Sequence, residues 1–551
     1  MTTNRIQDAL EKLFNKHRLV FWYDEKSELS GDFDALDLEK VEKVVVANNE
    51  FGLKYRMLKE QPKQKFLIYR NGKRPDDIDN WLLDLELAHG ELRVDQESIW
   101  LSDLGLGIED RNLQLVRQCR EFFTSKKRLD ALAKALDPDD TEGTIKRRML
   151  QICIGAKQPR IDSVLEEMLD ELAENSTEGE KLVIRCGLKD FLWEQAYSYY
   201  RYRSETPCIE DFAILLFKSC LEMDLGKDVP LKESAIGFIN RWKDNRNHKD
   251  AFEKLSEKYA GILSVKNVVE GLDFRSISEI DYFELIDKKI LSSLVKEVEA
   301  KTISKDECSQ IVRQRRMSHW FDEYKLAYEA VDHACQFIYA IDELDLTPNG
   351  FDDGIKKYTD GWYRIDQLYR KFILAYRAFK RGELLKSLYE KVEQKYSNTY
   401  LLTLSDNWQK IIDKQENWFG FQPMLQRNFF TKHVEPFLEK DKKVYVIISD
   451  AFRYEIGKEL AQRIMQEDRY DAKIEAAVSQ LPSYTQLGMA ALLPNKSLAF
   501  ADDSTARVVV DGLPATGTAG RDKILKDIRK MELLYNIKTS WSLGVMSLVI
   551  Y

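Results

Sequence analysis

Long apolar runs are missing from this chain. No stretch of its 551 residues approaches the roughly 18 uninterrupted apolar residues that span a bilayer, and the opening MTTNRIQDALEKLF lacks the apolar core of a secretion signal. A cytoplasmic chain with no membrane partner is expected. Cysteine is sparse and unpatterned. Cys119, Cys153, Cys186, Cys208, Cys220, Cys308 and Cys335 are odd in number and never spaced CxxC, which argues against a disulfide framework or a zinc knuckle and leaves buried thiols. A basic surplus is missing too: 84 basic residues stand against 93 acidic ones, a formal charge of -9, so sequence-independent wrapping of nucleic acid is disfavoured and only local basic patches remain for it. Neither GxxxxGKS/T nor GxGxxG occurs, so no standard phosphate loop is present. No repeat period marks a solenoid.

What is present is a balance of 44% hydrophobic and 32% charged residues, that of a globular protein with much helix. The length suits about three or four domains of ~150 residues. Residues 4 to 16 set Ile6, Leu10, Leu13 and Phe14 at helical spacing. The runs RLVFWYDE (18–25), KVVVAN (43–48) and KFLIYRNG (65–72) have strand length and are separated by charged, helix-like segments. Such alternation predicts a parallel, doubly wound sheet with its functional edge beyond the strand carboxyl ends, where Asp24 falls. Nucleotide sensing around Asp24 and Asn48 is one consequence to test.

From about Leu113 the pattern becomes all-helical, broken at DPDDTEG (137–143), AENSTEGE (173–180), SETPC (204–208) and LTPNGFDDG (346–354). The segment WYRIDQLYRKFILAYRAFK (362–380) aligns Trp362, Ile365, Tyr369, Phe372, Tyr376 and Phe379 on one face. Aromatics interleaved with bases, here and in YSYYRYR (197–203) and RQRR (313–316), suit single-stranded nucleic acid, but ordinary packing is the expected role. FLEKDKK (437–443) ends the helical block. The fold expected is multidomain α/β plus all-α: a parallel-sheet domain over 1–108, a helical region over 109–436, and the start of a second α/β domain over 437–551.

VYVIISDAFRYEIGKEL (444–460) runs apolar residues into Asp450 and then into a helix with Ile456, Leu460 and Ile464 on its expected buried side. Apolarity on both faces predicts a central parallel strand. An acid at its carboxyl end is either a ligand or catalytic group in the crevice, or a cap on the next helix worth about 1 kcal/mol. In AAVSQLPSYTQLGMAALLPNKSLAF (476–500) a short strand and a turn precede a helix from about Tyr484 to Leu493, with Thr485 in its first turn. A hydroxyl there meets free N–H groups suited to a phosphoryl group, and a metal contact makes it a nucleophile. Alternatively Ser483 and Gln486 form a capping box.

Together ISDAFRYE and LPSYTQLGMAALLP resemble the PglZ family, the phosphatase-like component of bacterial phage-exclusion (BREX) systems, and more distantly the alkaline phosphatase superfamily. VFWYDE and the helical middle resemble its type A members. The resemblance implies an alkaline-phosphatase-like domain with Asp450 as metal ligand and Thr485 as nucleophile and ligand, because PSYTQL matches a Pro-Thr-x-Thr pattern; Ser483 is the fallback. It implies zinc as the divalent metal, phosphatase or phosphodiesterase activity in antiviral defence, and the PglX methyltransferase and BrxB as partners. The superfamily's remaining Asp and His ligands lie downstream of the nucleophile. Here the histidines are His17, His89, His248, His319, His333 and His433, none beyond Thr485. The expectation is therefore an amino-terminal portion or natural truncation that binds without turnover and holds no tightly bound metal, with a non-catalytic scaffold as the alternative. The apolar tail SWSLGVMSLVIY (540–551) points the same way. DGLPATGTAGRDKILKDIRK (511–530) is expected to be a mobile loop ahead of a helix, with Arg521 reaching an oxyanion if it folds over the site.

Overall fold

The computed structural model describes residues 3–526 apart from 26, 28, 93–95, 108, 138, 417–423, 441 and 503–504, and the apolar tail at 540–551 lies outside the described residues. Two compact units divide the chain, Met1–Lys266 and Asn267–Tyr551. None of the described helices is long and apolar enough to cross a membrane.

The first unit opens with α1 (Thr3–Lys16) and the strands β1 (Leu19–Asp24), β2 (Val41–Val45), β3 (Lys65–Asn71) and β4 (Gly90–Leu92). All pair in parallel in the order β2-β3-β1-β4. Side chains alternate across the sheet. Val20 and Trp22 therefore pack with Ile6, Leu10 and Phe14 of α1, whereas Leu19 and Phe21 join Leu53, Met57 and Phe66 on the other face. The three residues of β4 are too few to show a periodicity in the sequence.

Asp24 does end β1, but it is 3% exposed and its Oδ2 accepts from the Leu29 amide at 2.7 Å and the Tyr69 hydroxyl at 2.8 Å. Its carboxylate thus fastens its own loop. Asn48 adopts a left-handed turn (φ 61°), a conformation asparagine tolerates well.

Helices fill the rest of this unit, among them α2 (Glu142–Ile154), α3 (Ile161–Ala173) and α4 (Glu178–Arg185). The anticipated breaks lie between them: Thr141 caps α2 by accepting from the Thr144 amide at 3.3 Å. In YSYYRYR, Tyr200 and Tyr202 are buried, while Tyr197 is exposed under the guanidinium groups of Arg201 and Arg203. Beyond α4, Gly187 has φ +70°, and a Cβ there would stand 2.3 Å from the Gln118 carbonyl. Gly187→Ala is expected to destabilise this unit by about 1–3 kcal/mol from backbone strain alone, more with the clash, measured by urea unfolding.

In the second unit α5 (Glu284–Ala300), α6 (Lys305–Arg315) and α7 (Phe321–Asp342) precede a π-helical turn (Tyr358–Trp362) and α8 (Tyr363–Ala378). Trp362, Ile365, Phe372 and Phe379 are buried, so the aromatic face of this segment is core. In RQRR, Arg315 is 1% exposed and donates to both oxygens of Asp287 at 3.1 and 2.6 Å. Packing claims it as well.

The remainder contains β5 (Met424–Leu425), α9 (Tyr454–Met465), β6 (Ala477–Val478), α10 (Thr485–Ala491), β7 (Leu498–Phe500), β8 (Val508–Val510), β9 (Leu513–Pro514) and α11 (Gly517–Lys526). β5 and β6 are parallel; β7, β8 and β9 are antiparallel. Two expectations fail here. Residues 442–449 are not a central strand: no described segment pairs with them, and a strand exists only by its ladder partners. They run without regular structure, with Val444, Val446 and Ile448 half-buried on Phe429, Phe430, Val434 and Leu492. Nor is the segment after Asp511 simply a loop. Its Leu and Ala residues join a packed hairpin and helix, with Leu487, Val508, Val510, Ala515 and Ile524 in one cluster.

Candidate functional site

Asp450 and Thr485 are delivered to one place by a shared apolar anchor. Leu492 follows α10 and packs in the same cluster as Val444, Val446 and Ile448, which lead to Asp450. The two residues are 35 apart in sequence, yet Thr485 Oγ1 donates to Asp450 Oδ2 at 3.4 Å. Both are exposed on the wall of a cleft of about 1000 Å³, with Ser483 also in its lining.

The bland alternatives for these residues are not realised. Asp450 does not cap α9, whose N-cap position is Arg453; its Oδ1 accepts from the Ala451 amide at 3.0 Å instead. Ala451 has φ +56°, a left-handed bend that costs a non-glycine residue free energy. The capping box is likewise absent, because Tyr484 takes the N-cap of α10 and no side chain caps it.

α9 docks differently from the expected pattern. Ile456, Leu460 and Ile464 are half-buried, and the last two line the cleft, whereas the fully buried residue of α9 is Glu455. Its oxygens accept from Arg370 Nε at 3.1 and 2.9 Å, and Glu459 accepts from Arg370 Nη2 at 2.6 Å. A buried carboxylate is tolerated when charge-assisted donors satisfy it, so the helix turns its acidic face to α8.

Burial raises the Glu459 carboxyl, but hydrogen bonds from Arg370 and Arg463 together with the Lys371 charge outweigh it and hold the group below its ordinary range. A depressed carboxyl stabilises the fold above its unfolded value of about 4.3 and loses that contribution as pH falls through the lower folded value. Glu459→Gln should therefore flatten the fall in urea stability between about pH 5 and pH 3, while wild type keeps the steeper slope.

Arg521 lies on α11 and is absent from the cleft lining; its Nε donates to the Ala515 carbonyl at 3.3 Å, and burial lowers its pKa. The arginine that lines the cleft is Arg453, paired with Asp366 at 3.1 Å. Sequence reasoning did not single it out, although it sits within ISDAFRYE. Nothing local distinguishes an arginine aimed at a cleft from one on a solvated helix.

Asp450 Oδ2 and Thr485 Oγ1 are oxygen donors close enough to touch one divalent cation. Among the described residues, however, no group of three or more His, Cys, Asp or Glu side chains converges to hold a metal. The pair thus fits as part of a coordination shell and does not complete one.

Residues 429–539 match the BREX system PglZ alkaline phosphatase-like domain. The alkaline phosphatase-like protein BrxZ of Escherichia coli O9:H4 (strain HS) is 29% identical over 562 residues, covering 95% of this chain and 64% of that protein. The alkaline phosphatase-like protein PglZ of Bacillus cereus (strain H3081.97) is 28% identical over 547 residues, covering 95% and 64%. The chain therefore spans 64% of the length of either relative. No solved structure matches. The domain match over 429–539 and the likeness to two relatives along 95% of the sequence make this chain similar to the PglZ family, with the matched phosphatase-like domain at residues 429–539.

Proposed function

We propose that this protein is a component of a BREX phage-defence system and that the full-length product of its reading frame is a metal-dependent phosphoric ester hydrolase. One observation supports this above others: the Thr485 hydroxyl and the Asp450 carboxylate, remote in sequence, meet at 3.4 Å on the open wall of a cleft. On this reading Thr485 Oγ1, with Ser483 as the fallback, bonds to phosphorus as the P–O bond to the ester group breaks, the ester oxygen leaves as an alcohol carrying the hydroxyl's proton, and water then displaces Thr485 from phosphorus; Asp450 Oδ2 orients the hydroxyl and would help to hold the metal, zinc by family likeness. When bound, such a cation neutralises charge on the phosphoryl oxygens. Asp450→Asn in the full-length product should slow hydrolysis of an aryl phosphate diester by about 100-fold or more. A variant as fast as wild type would refute the role.

A scaffold role is compatible and has its own support. Among the described residues, buried charges of the first sheet and the helices meet partners within the fold, as Asp24 does with the Tyr69 hydroxyl and Arg315 with Asp287, and no group of three or more His, Cys, Asp or Glu side chains converges there. Residues 1–108 and 109–436 then serve to bind BREX partners such as PglX and BrxB, and 437–551 contributes the chemistry. Purified residues 1–551 with added zinc should show no diester hydrolysis, because among the described residues no group of three or more His, Cys, Asp or Glu side chains converges to hold the metal. Measurable turnover would contradict that, and failure to co-purify with either partner would count against the scaffold.

A further inference from the structure

The segment that carries Asp450 is fastened to α8 at two points of opposite polarity. Asp366 and Arg370 stand one turn apart on that helix, and the residues after Asp450 answer each in turn. Arg453 Nη2 meets Asp366 Oδ1 at 3.1 Å, while Arg370 donates to Glu455 and Glu459. Asp366 is 4% exposed and Glu455 0%. Three phenols complete the shell of Asp366: Tyr358 and Tyr396 at 2.7 Å each, and Tyr400 at 3.4 Å. Burial and the bond to Asp366 push the Tyr396 phenol up to about 12, so it remains a donor at neutral pH.

Among the described residues Asp450, by contrast, holds only its neighbour's amide and the long contact to Thr485. Its place is set by what grips the chain three residues on. We infer that Asp366 and Arg370 are positioning residues: through Arg453, Glu455 and Glu459 they hold Asp450 within reach of Thr485, which puts the candidate site under the control of the helical region. The inference rests on the function proposed above. Tyr358 extends it, because the same side chain lines the cleft and donates to Asp366. Whatever fills the cleft therefore touches the lock. The forked guanidinium matters here, since a lysine keeps the charge but not the paired donors.

The test uses the full-length product, an aryl phosphate diester as substrate, and zinc alone in competition with a chromophoric chelator. Arg453→Met and Arg370→Met should each lower kcat by about tenfold or more with little change in KM, and weaken zinc binding by a similar factor. Arg453→Lys and Arg370→Lys should recover part of both losses. Unchanged kcat and zinc affinity in the methionine variants, or lysine variants no better than them, would overturn the inference. If the methionine variants do not fold, Tyr358→Phe and Tyr396→Phe carry the test, and wild-type kcat in both overturns it equally. Wild-type rates in Asp450→Asn and Thr485→Ala would instead overturn the underlying site, as would a wild-type protein that neither hydrolyses the diester nor binds zinc.

Discussion

On the function proposed above, Thr485→Ala in the full-length product should lower the rate of aryl phosphate diester hydrolysis by about 10³-fold or more, the scale seen when a nucleophile that acts within a catalytic unit is removed. The substitution takes away a single exposed hydroxyl. α10 itself is held by Leu487, Ala490 and Ala491, all buried, and its capping does not involve Thr485, so the fold should be untouched. Melting temperature is therefore the control, and it should match wild type. Thr485→Ser keeps an oxygen in place and should retain a substantial part of the rate. If Ser483 is the nucleophile instead, Thr485→Ala will be mildly affected and Ser483→Ala severely. Near-wild-type hydrolysis in both would remove the chemistry from this cleft.

The largest stability effect is expected at the buried pair of Arg315 and Asp287. Both are essentially inaccessible, 1% and 0% exposed. The guanidinium also donates to the carbonyls of Ser278 and Ile280 at 3.0 and 2.8 Å, and the Tyr328 hydroxyl donates to Asp287 at 2.6 Å. Asp287→Ala leaves a cation in a dry interior and strands that phenol, so it should cost about 3–5 kcal/mol. Against a total of roughly 5–15 kcal/mol this would unfold much of the second unit at moderate urea concentrations.

Burial pushes the Asp287 carboxyl above its ordinary range, while Asp287 holds the Arg315 guanidinium above its own despite burial, so the pair attracts strongly against a large desolvation cost. Hence the double replacement Asp287→Leu with Arg315→Met should cost much less than Asp287→Ala alone. A double variant as unstable as the single one would show that the pair is net stabilising. The two units are to be followed by separate probes, because a chain with two compact parts need not unfold in one step.

How much was legible beforehand differs by element. The first three strands and α1 were readable because apolar residues run together over strand length or recur at helical spacing, although β2 (Val41–Val45) begins two residues before the run KVVVAN (43–48) that marked it, and the turn clusters mark where helices stop. The buried aromatic face of α8 was readable for the same reason. The stretch 444–449 carried an equally strong strand pattern and is not a strand among the described residues, because pairing depends on a neighbour that local sequence does not contain. α9 shows the complementary failure. Its apolar stripe suggested the docking face, but Arg370 made the acidic face the better one to bury.

For the candidate site, the motifs singled out Asp450, Thr485 and Ser483, and resemblance supplied roles for them. Composition settled the charge balance, the absence of long apolar runs and the lack of any histidine beyond residue 433. Only the tertiary structure put the two oxygens 3.4 Å apart, moved attention from Arg521 to Arg453, and tied Arg453 to Asp366, 87 positions earlier in the chain. The physical reason is range. Periodicity, turns and caps act over a few residues and leave their mark in order along the chain, whereas charge pairing and shared burial act through space between residues whose separation in sequence carries no signal.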